Sequence, residues 1–148
     1  MSWTKPNTMA VPNTYVTPAD SPIEITNHPE SASRVTPIQI VSLNRPNKLN
    51  AITIEMINLI IQFLTTVERD DRVKVIVLTG KGKAFSAGID LNSDTSQLKN
   101  DNVSVANIRD PGGTLALAMY SSSKVIIVAY NGLSVGIGMT STLAAAIR

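Results

Sequence analysis

Apolar and polar positions along the chain follow two periods. Ile38-Gln39-Ile40-Val41-Ser42-Leu43 alternates roughly every second residue, the pattern of a strand with one buried face. Val73-Lys74-Val75-Ile76-Val77-Leu78-Thr79 and Val125-Ile126-Ile127-Val128-Ala129-Tyr130 are more continuously apolar and read as buried strands. Ile23-Glu24-Ile25 opens an earlier strand. Between these runs the period changes. From Thr53 to Arg69, Ile57, Ile60, Ile61, Leu64 and Val67 fall three and four residues apart, while Asn58, Gln62, Thr65 and Glu68 take the other face. That spacing predicts an amphipathic helix. Thr114 to Tyr120 reads as a short helix, Ser121-Ser122-Ser123 as a break, and Thr140 to Ile147 as a further helix. Strands alternating with helices predict an α/β class.

The ends of the pattern are less structured. Residues 1–21 are rich in Thr, Pro and Asn and are expected to form a disordered tail, leaving residues 22–148 as the domain. The tail has no apolar core for a secretory signal and lacks the arginines of a mitochondrial presequence. Asn92 to Asp110 is polar and without clear period, which predicts a flap ended by Pro111-Gly112-Gly113.

Two of the predicted strands run into small-residue turns. Lys83-Ala84-Phe85-Ser86-Ala87-Gly88-Ile89-Asp90-Leu91 follows the second strand run, and Asn131-Gly132-Leu133-Ser134-Val135-Gly136-Ile137-Gly138 follows the third. A glycine-rich turn that leaves a buried strand for a helix presents backbone N–H groups without partners. Two such turns side by side can hold one oxygen that becomes negative during a reaction. The remainder of the chain reads as scaffolding for that oxyanion hole.

Composition narrows the chemistry. Charged residues make up 16% of the 148, below the roughly 25% usual in soluble domains, which points to surface that meets a ligand or another chain. A net charge of +2 without a basic run argues against nucleic acid. There is no cysteine, so thiolate catalysis, disulfides and Cys-based zinc sites are excluded, and no metal site is expected. The single histidine, His28, precedes Pro29 in a polar stretch and reads as a loop residue.

Gly132-Leu133-Ser134-Val135-Gly136 admits three readings. It matches the G-x-S-x-G elbow of serine hydrolases, but no histidine follows Ser134 to act as its base. It matches G-x-x-x-G in the charge-free run Val125 to Ile147, long enough to cross a bilayer. Against that, four β-branched residues in succession precede an Asn-Gly turn signal. Strand, tight turn and helix account for the glycines, with the amides near Gly136 at the positive helix end.

Four segments carry a family resemblance. These are Leu43-Asn44-Arg45-Pro46-Asn47-Lys48-Leu49-Asn50-Ala51, Val75-Ile76-Val77-Leu78-Thr79-Gly80, Phe85-Ser86-Ala87-Gly88-Ile89-Asp90-Leu91 and Asn131-Gly132 to Gly138. In this order and spacing they resemble the crotonase superfamily, the enoyl-CoA hydratases and isomerases, from about Ile23 to Arg148. Within it the chain looks most like fungal peroxisomal enoyl-CoA isomerase/hydratases, including those of host-selective toxin biosynthesis. The resemblance implies a spiral of ββα units, of which the N-terminal portion is present. It also implies homo-oligomers (trimers or pairs of trimers), a peroxisomal location, and an acyl-CoA substrate. No cofactor is implied beyond the coenzyme A of that substrate, and no nucleic acid or membrane is expected as partner.

By that resemblance the thioester carbonyl sits between the backbone amides of Ile89 and Ile137. Ser86, Ala87, Gly88, Asp90, Gly136 and Gly138 match the surrounding acyl-CoA-binding segments, with Arg45 and Lys48 near the CoA phosphates. Two departures matter. Hydratases of the family place a glutamate where this chain has Thr140, which tilts the expectation toward double-bond migration. The family's second carboxylate, a glutamate, lies beyond Arg148. The acids expected near the hole are then Asp90, read as a turn or capping group, and Asp94. On that expectation the chain holds charge but moves no proton, and a non-catalytic remnant or structural subunit is the alternative.

Overall fold

A computed structural model describes residues 11–92 and 110–148. The flap expected between Asn92 and Asp110, including Asp94, lies almost wholly outside the described residues. The main sheet has the order β1-β2-β3-β5. β1 (Ile23–His28) runs antiparallel to β2 (Ile38–Leu43), which is parallel to β3 (Val75–Gly80), itself parallel to β5 (Val125–Val128). Parallel neighbours need a crossover of a dozen or more residues, and the helical runs supply it. Each run after β2 repeats one plan. The chain gives a strand to the main sheet, then a short strand of a second layer, then a helix.

In the first turn of this plan, β2 is followed by Ile52, which bridges to Ile89, and by α1 (Ile54–Val67). In the second, β3 leads to β4 (Ala84–Ser86) and α2 (Pro111–Tyr120). In the third, β5 leads to β6 (Leu133–Ser134) and α3 (Ile137–Thr140). β4 and β6 pair in parallel, Ala84 with Leu133 and Ser86 with Ser134, with an irregularity between. The small second layer therefore brings the two small-residue turns together.

α1 begins at Thr53, whose side chain accepts the Met56 N–H as an N-cap. Its apolar stripe is wider than the expected one: Met56 and Phe63 join Ile57, Ile60, Leu64 and Val67 in the core. This face lies on Val41, Ile76, Leu78 and Ile126 of the sheet, with Met119 of α2 beside it. Val73, expected as the first residue of β3, is fully buried but precedes the strand, its N–H bonded to the Asp70 carbonyl.

Three expectations need correction. Residues 11–21 do not behave as a tail. Tyr15 is buried, packs edge-on against Phe63 with ring centroids 5.4 Å apart, and donates its hydroxyl to Asp70 Oδ2 at 3.0 Å. Thr17 adds hydrogen bonds to both Ile23 and Ile25. One aromatic side chain with a buried acceptor orders a polar segment that composition alone marks as loose. Second, α2 starts at Pro111 rather than Thr114, because Asp110 caps it and proline suits a first helical position. Third, the expected helix over Thr140 to Ile147 is a single α-turn followed by a 3-10 turn at Ser141–Ala144. Ala145 is extended, and Ile147 bridges to Ile127 on the edge of the sheet. Edge pairing outweighs helix propensity there. The bilayer-spanning reading of Val125 to Ile147 is also set aside. The run divides into strand, turn and short helix, and no helix among the described residues is long and apolar enough to cross a membrane.

Asp70 is where the first segment is anchored. Its side chain is 2% exposed and takes hydrogen bonds from Arg72 Nε at 2.8 Å and Nη2 at 2.7 Å as well as from Tyr15. The guanidinium bonds hold its carboxyl down at about 2, against the opposing effect of burial. An unfolded aspartate takes up its proton near pH 4. The stabilisation is therefore complete above that value and is lost as pH falls through about 2. A shift of this size corresponds to about 2 kcal/mol. Thermal unfolding of the wild type is expected to weaken steeply between about pH 4 and pH 2. Asp70→Asn should lack that component of the pH dependence. Parallel melting curves for the two proteins across this range would refute the assignment.

Candidate active site

The loop after β4 is held from behind by the segment after β2. Ala87 N–H donates to the Leu49 carbonyl at 2.9 Å, Ile52 N–H to the Gly88 carbonyl at 2.7 Å, and Asp90 N–H to the Ile52 carbonyl at 2.8 Å. The carbonyl and the N–H of one trans peptide point in opposite directions. The Gly88 carbonyl and Asp90 N–H both face Ile52, so the Ile89 N–H faces away from it. Gly88 has φ +94°, a left-handed conformation that glycine adopts without strain. Ser86 is fully buried; its Oγ donates to the Asn50 carbonyl at 2.9 Å and accepts the Gly88 N–H at 3.1 Å. Its hydroxyl is occupied within the loop, so the expected substrate-binding role does not fall to that side chain.

The second loop is tied to the first. Val135 N–H donates to the Ser86 carbonyl at 2.9 Å. Gly136, at φ +53°, turns the chain into α3. The next N–H groups close locally: Gly138 onto the Val135 carbonyl, Met139 and Thr140 onto Gly136. Ile137 N–H is left out of this set. Gly138 is buried because of close approach: a Cβ there would lie 2.6 Å from Ser86 Cβ. It keeps the loops in contact and is not itself a surface for ligand. Since α3 has one turn, the local N–H of Ile137 matters more than any dipole of a long helix.

Among the described residues, neither Ile89 N–H nor Ile137 N–H donates to a protein acceptor. Both residues line one cavity of about 560 Å³, with Asp110, Pro111, Gly112, Gly113 and Ala116 of α2 across from Gly136, Thr140 and Ser141. The wall is largely apolar. Two backbone donors without a described protein acceptor thus belong to residues on one cavity wall, which is what an oxyanion hole would require.

The remaining sequence candidates fall elsewhere. Asp90 accepts from Arg45 Nη1 at 2.8 Å and from the Asn92 N–H at 3.0 Å. The guanidinium, then that N–H, hold its carboxyl below the usual range. It closes a turn through the Asn92 N–H, and it also forms an ion pair with Arg45 that the sequence did not indicate. Arg45 is correspondingly engaged, also donating to the Ala51 carbonyl at 2.6 Å. Lys48 is exposed in a short 3-10 turn beside this pair and remains available to solvent. Ser134 does not form a hydrolase elbow. Its Oγ is buried without a partner among the described residues, and His28 is exposed at the far end of the strand direction, level with Ile38.

Two residues were not singled out from the sequence. Asn50, fully buried at φ +53°, links Arg45 N–H, the Lys81 carbonyl and the Ala84 carbonyl. Asp110 enters the cavity as the N-cap of α2. An Asp-Pro pair opening an apolar run is a helix-start signal, but it does not say which pocket the helix end meets.

The enoyl-CoA hydratase/isomerase family model matches residues 38–148. An enoyl-CoA hydratase of Alternaria alternata is 40% identical over 111 residues, covering 75% of this chain and 36% of its own length. A protein of Arabidopsis thaliana named as a probable peroxisomal enoyl-CoA hydratase is 31% identical over 107 residues, 72% of this chain and 38% of that protein. The solved enoyl-CoA hydratase/isomerase from Mycobacterium paratuberculosis superposes with a TM-score of 0.66 at 25% identity, over 90% of this chain and 50% of that one. The chain thus spans little more than a third of these relatives and half of the solved structure. With the family model matching most of its length and a repeating strand, short strand and helix forming part of a spiral, the chain belongs to the enoyl-CoA hydratase/isomerase family and carries part of the crotonase fold.

Proposed function

We propose that the protein acts on a fatty acyl-CoA thioester, holding the thioester carbonyl between the N–H groups of Ile89 and Ile137. The observation that carries this reading is that two residues on adjoining loops, whose N–H groups have no acceptor among the described residues, line one cavity. Loss of a proton from carbon next to a thioester moves negative charge onto the carbonyl oxygen. Donors already aimed at that oxygen stabilise the enolate without reorganising at the moment of reaction. Isoleucine serves at both positions because only the backbone is used. Thr140 in the wall supplies no carboxylate to handle water, which favours double-bond migration over hydration. Exposed Lys48 meets the phosphates of coenzyme A in this pose, and no other cofactor takes part. The Arabidopsis relative supports a peroxisomal location. Leu133, Val135, Met139, Leu143 and Ile147, exposed apolar residues of the last third of the chain, support association with further copies.

The test uses acetoacetyl-CoA, whose enolate absorbs separately from its keto form. Adding the protein is expected to raise the enolate fraction at constant pH, saturably, and excess hexanoyl-CoA should reverse it. An unchanged spectrum at saturating protein would contradict the hole assignment.

A further inference from the structure

The cavity lining includes an aspartate that the acyl-CoA reading leaves unused. Asp110 lines it together with Ile89, Gly136, Ile137 and Thr140, and among the described wall residues it is the acidic one. Asp90, the acid expected nearest the hole, is held by Arg45 and the Asn92 N–H instead. Asp110 Oδ1 accepts the Gly113 N–H at 2.9 Å. Among the described residues no donor reaches its Oδ2. One oxygen fixes the carboxylate and the other is left for a ligand.

The first turn of α2 makes room for this group. A Cβ at Gly113 would lie 2.9 Å from Asp110 Oδ2, and one at Gly112 would lie 3.0 Å from Oδ1 and 2.9 Å from Ile137 Cγ1. Glycine in a helix is less favourable than alanine, and an N-cap aspartate needs no glycine after it. Two consecutive glycines are explained by what stands in the space: the carboxylate at both positions, and at Gly112 also the side chain of a hole residue. The carboxylate and Ile137 are thus neighbours across the width of a single carbon atom.

We propose that Asp110 is the catalytic base of this chain, carrying a proton between the α- and γ-carbons of a β,γ-unsaturated acyl-CoA. This rests on the acyl-CoA reading of the hole. The α-carbon–hydrogen bond breaks and its proton passes to Asp110 Oδ2. The electron pair enters the conjugated enolate, with charge on the thioester oxygen between Ile89 N–H and Ile137 N–H. The same Oδ2 returns the proton to the γ-carbon, the double bond moves to the α,β position, and the carboxylate is regenerated. No co-reactant is needed. The expectation that the chain lacks any base near the hole is revised accordingly.

Asp110→Asn separates this role from capping, because asparagine caps a helix as well as aspartate does. Three readouts are compared in the 148-residue chain and the variant. These are hexanoyl-CoA affinity, exchange of hexanoyl-CoA α-protons with deuterated water by NMR, and conversion of 3-hexenoyl-CoA to 2-hexenoyl-CoA. The variant is expected to keep its melting temperature and hexanoyl-CoA affinity while exchange and kcat fall by about 10²–10⁴-fold. Asp110→Glu should recover part of the loss. Equal exchange by wild type and Asp110→Asn would overturn the proposal while leaving the hole intact. Hexanoyl-CoA that binds but keeps its α-protons in the wild type would do the same. Failure of hexanoyl-CoA to bind at all would remove the acyl-CoA reading and this proposal together.

Discussion

Ile137→Pro is expected to lower 3-hexenoyl-CoA turnover by about 10²–10³-fold, the usual cost of removing one oxyanion donor. Proline deletes the N–H and nothing else in the hydrogen-bond pattern, because Ile137 N–H has no protein acceptor among the described residues. Position 137 is the first residue of α3, where a proline's fixed φ fits. Ile137→Ala is the control. It loses the same packing against the α2 glycines but keeps the donor, so its turnover should stay within about tenfold of wild type by comparison. The enolate absorbance of bound acetoacetyl-CoA should fall in the proline variant and survive in the alanine variant. If the two variants behave alike, the effect belongs to the side chain, and Ile137 N–H is not a catalytic donor.

Asn50→Ala is expected to destabilise the fold by about 3–5 kcal/mol, a large part of the roughly 5–15 kcal/mol typical of a domain. The residue is fully buried. Its Oδ1 accepts Arg45 N–H at 2.9 Å, and its Nδ2 donates to the Lys81 and Ala84 carbonyls at 2.8 Å each. Truncation leaves three backbone groups short of a partner, each costing roughly 1–3 kcal/mol when buried. The Ala84 carbonyl keeps a weaker bond from Asn131 Nδ2 at 3.3 Å, which limits the sum. Asparagine also tolerates the left-handed φ of this position better than alanine. Because the Asn50 carbonyl receives Ser86 Oγ and Leu49 receives Ala87 N–H, the loss should loosen the Ile89 loop as well. Urea unfolding measures the first effect and acetoacetyl-CoA enolisation the second. A midpoint shifted by less than about 0.5 kcal/mol equivalent would show that water replaces these bonds freely.

The strands and α1 were legible because their signal is local. Alternation in Ile38–Leu43 and three-four spacing after Thr53 each state which face is buried, and burial is what selects the element. The glycine turns were legible for the same reason: Gly88 and Gly136 stand where the chain must adopt positive φ. The four motif segments, read together, led to the family. Other features depend on partners far away in the chain. Whether residues 11–21 order depends on Asp70 and Phe63, more than forty residues on, offering Tyr15 an acceptor and a ring. Whether the segment after Thr140 stays helical depends on an open sheet edge at Ile127.

The same division runs through the site. Sequence by itself marked the two loops, because small residues after buried strands constrain the local backbone, and the family resemblance carried by those loops pointed to the amides of Ile89 and Ile137. It could not show that both residues line one cavity. That follows from β4 pairing with β6 and from Ile52 drawing the Gly88 carbonyl and Asp90 N–H to the opposite side. Nor could it separate Asp90 from Asp110. The carboxylate one residue past Ile89 forms an ion pair with Arg45, whereas one 20 residues further along the chain lines the same cavity as Ile89 and Ile137 from the tip of α2. Proximity in sequence is set by covalent bonds, but access to a reacting atom is set by which peptide faces and helix ends the packed layers bring to the same space.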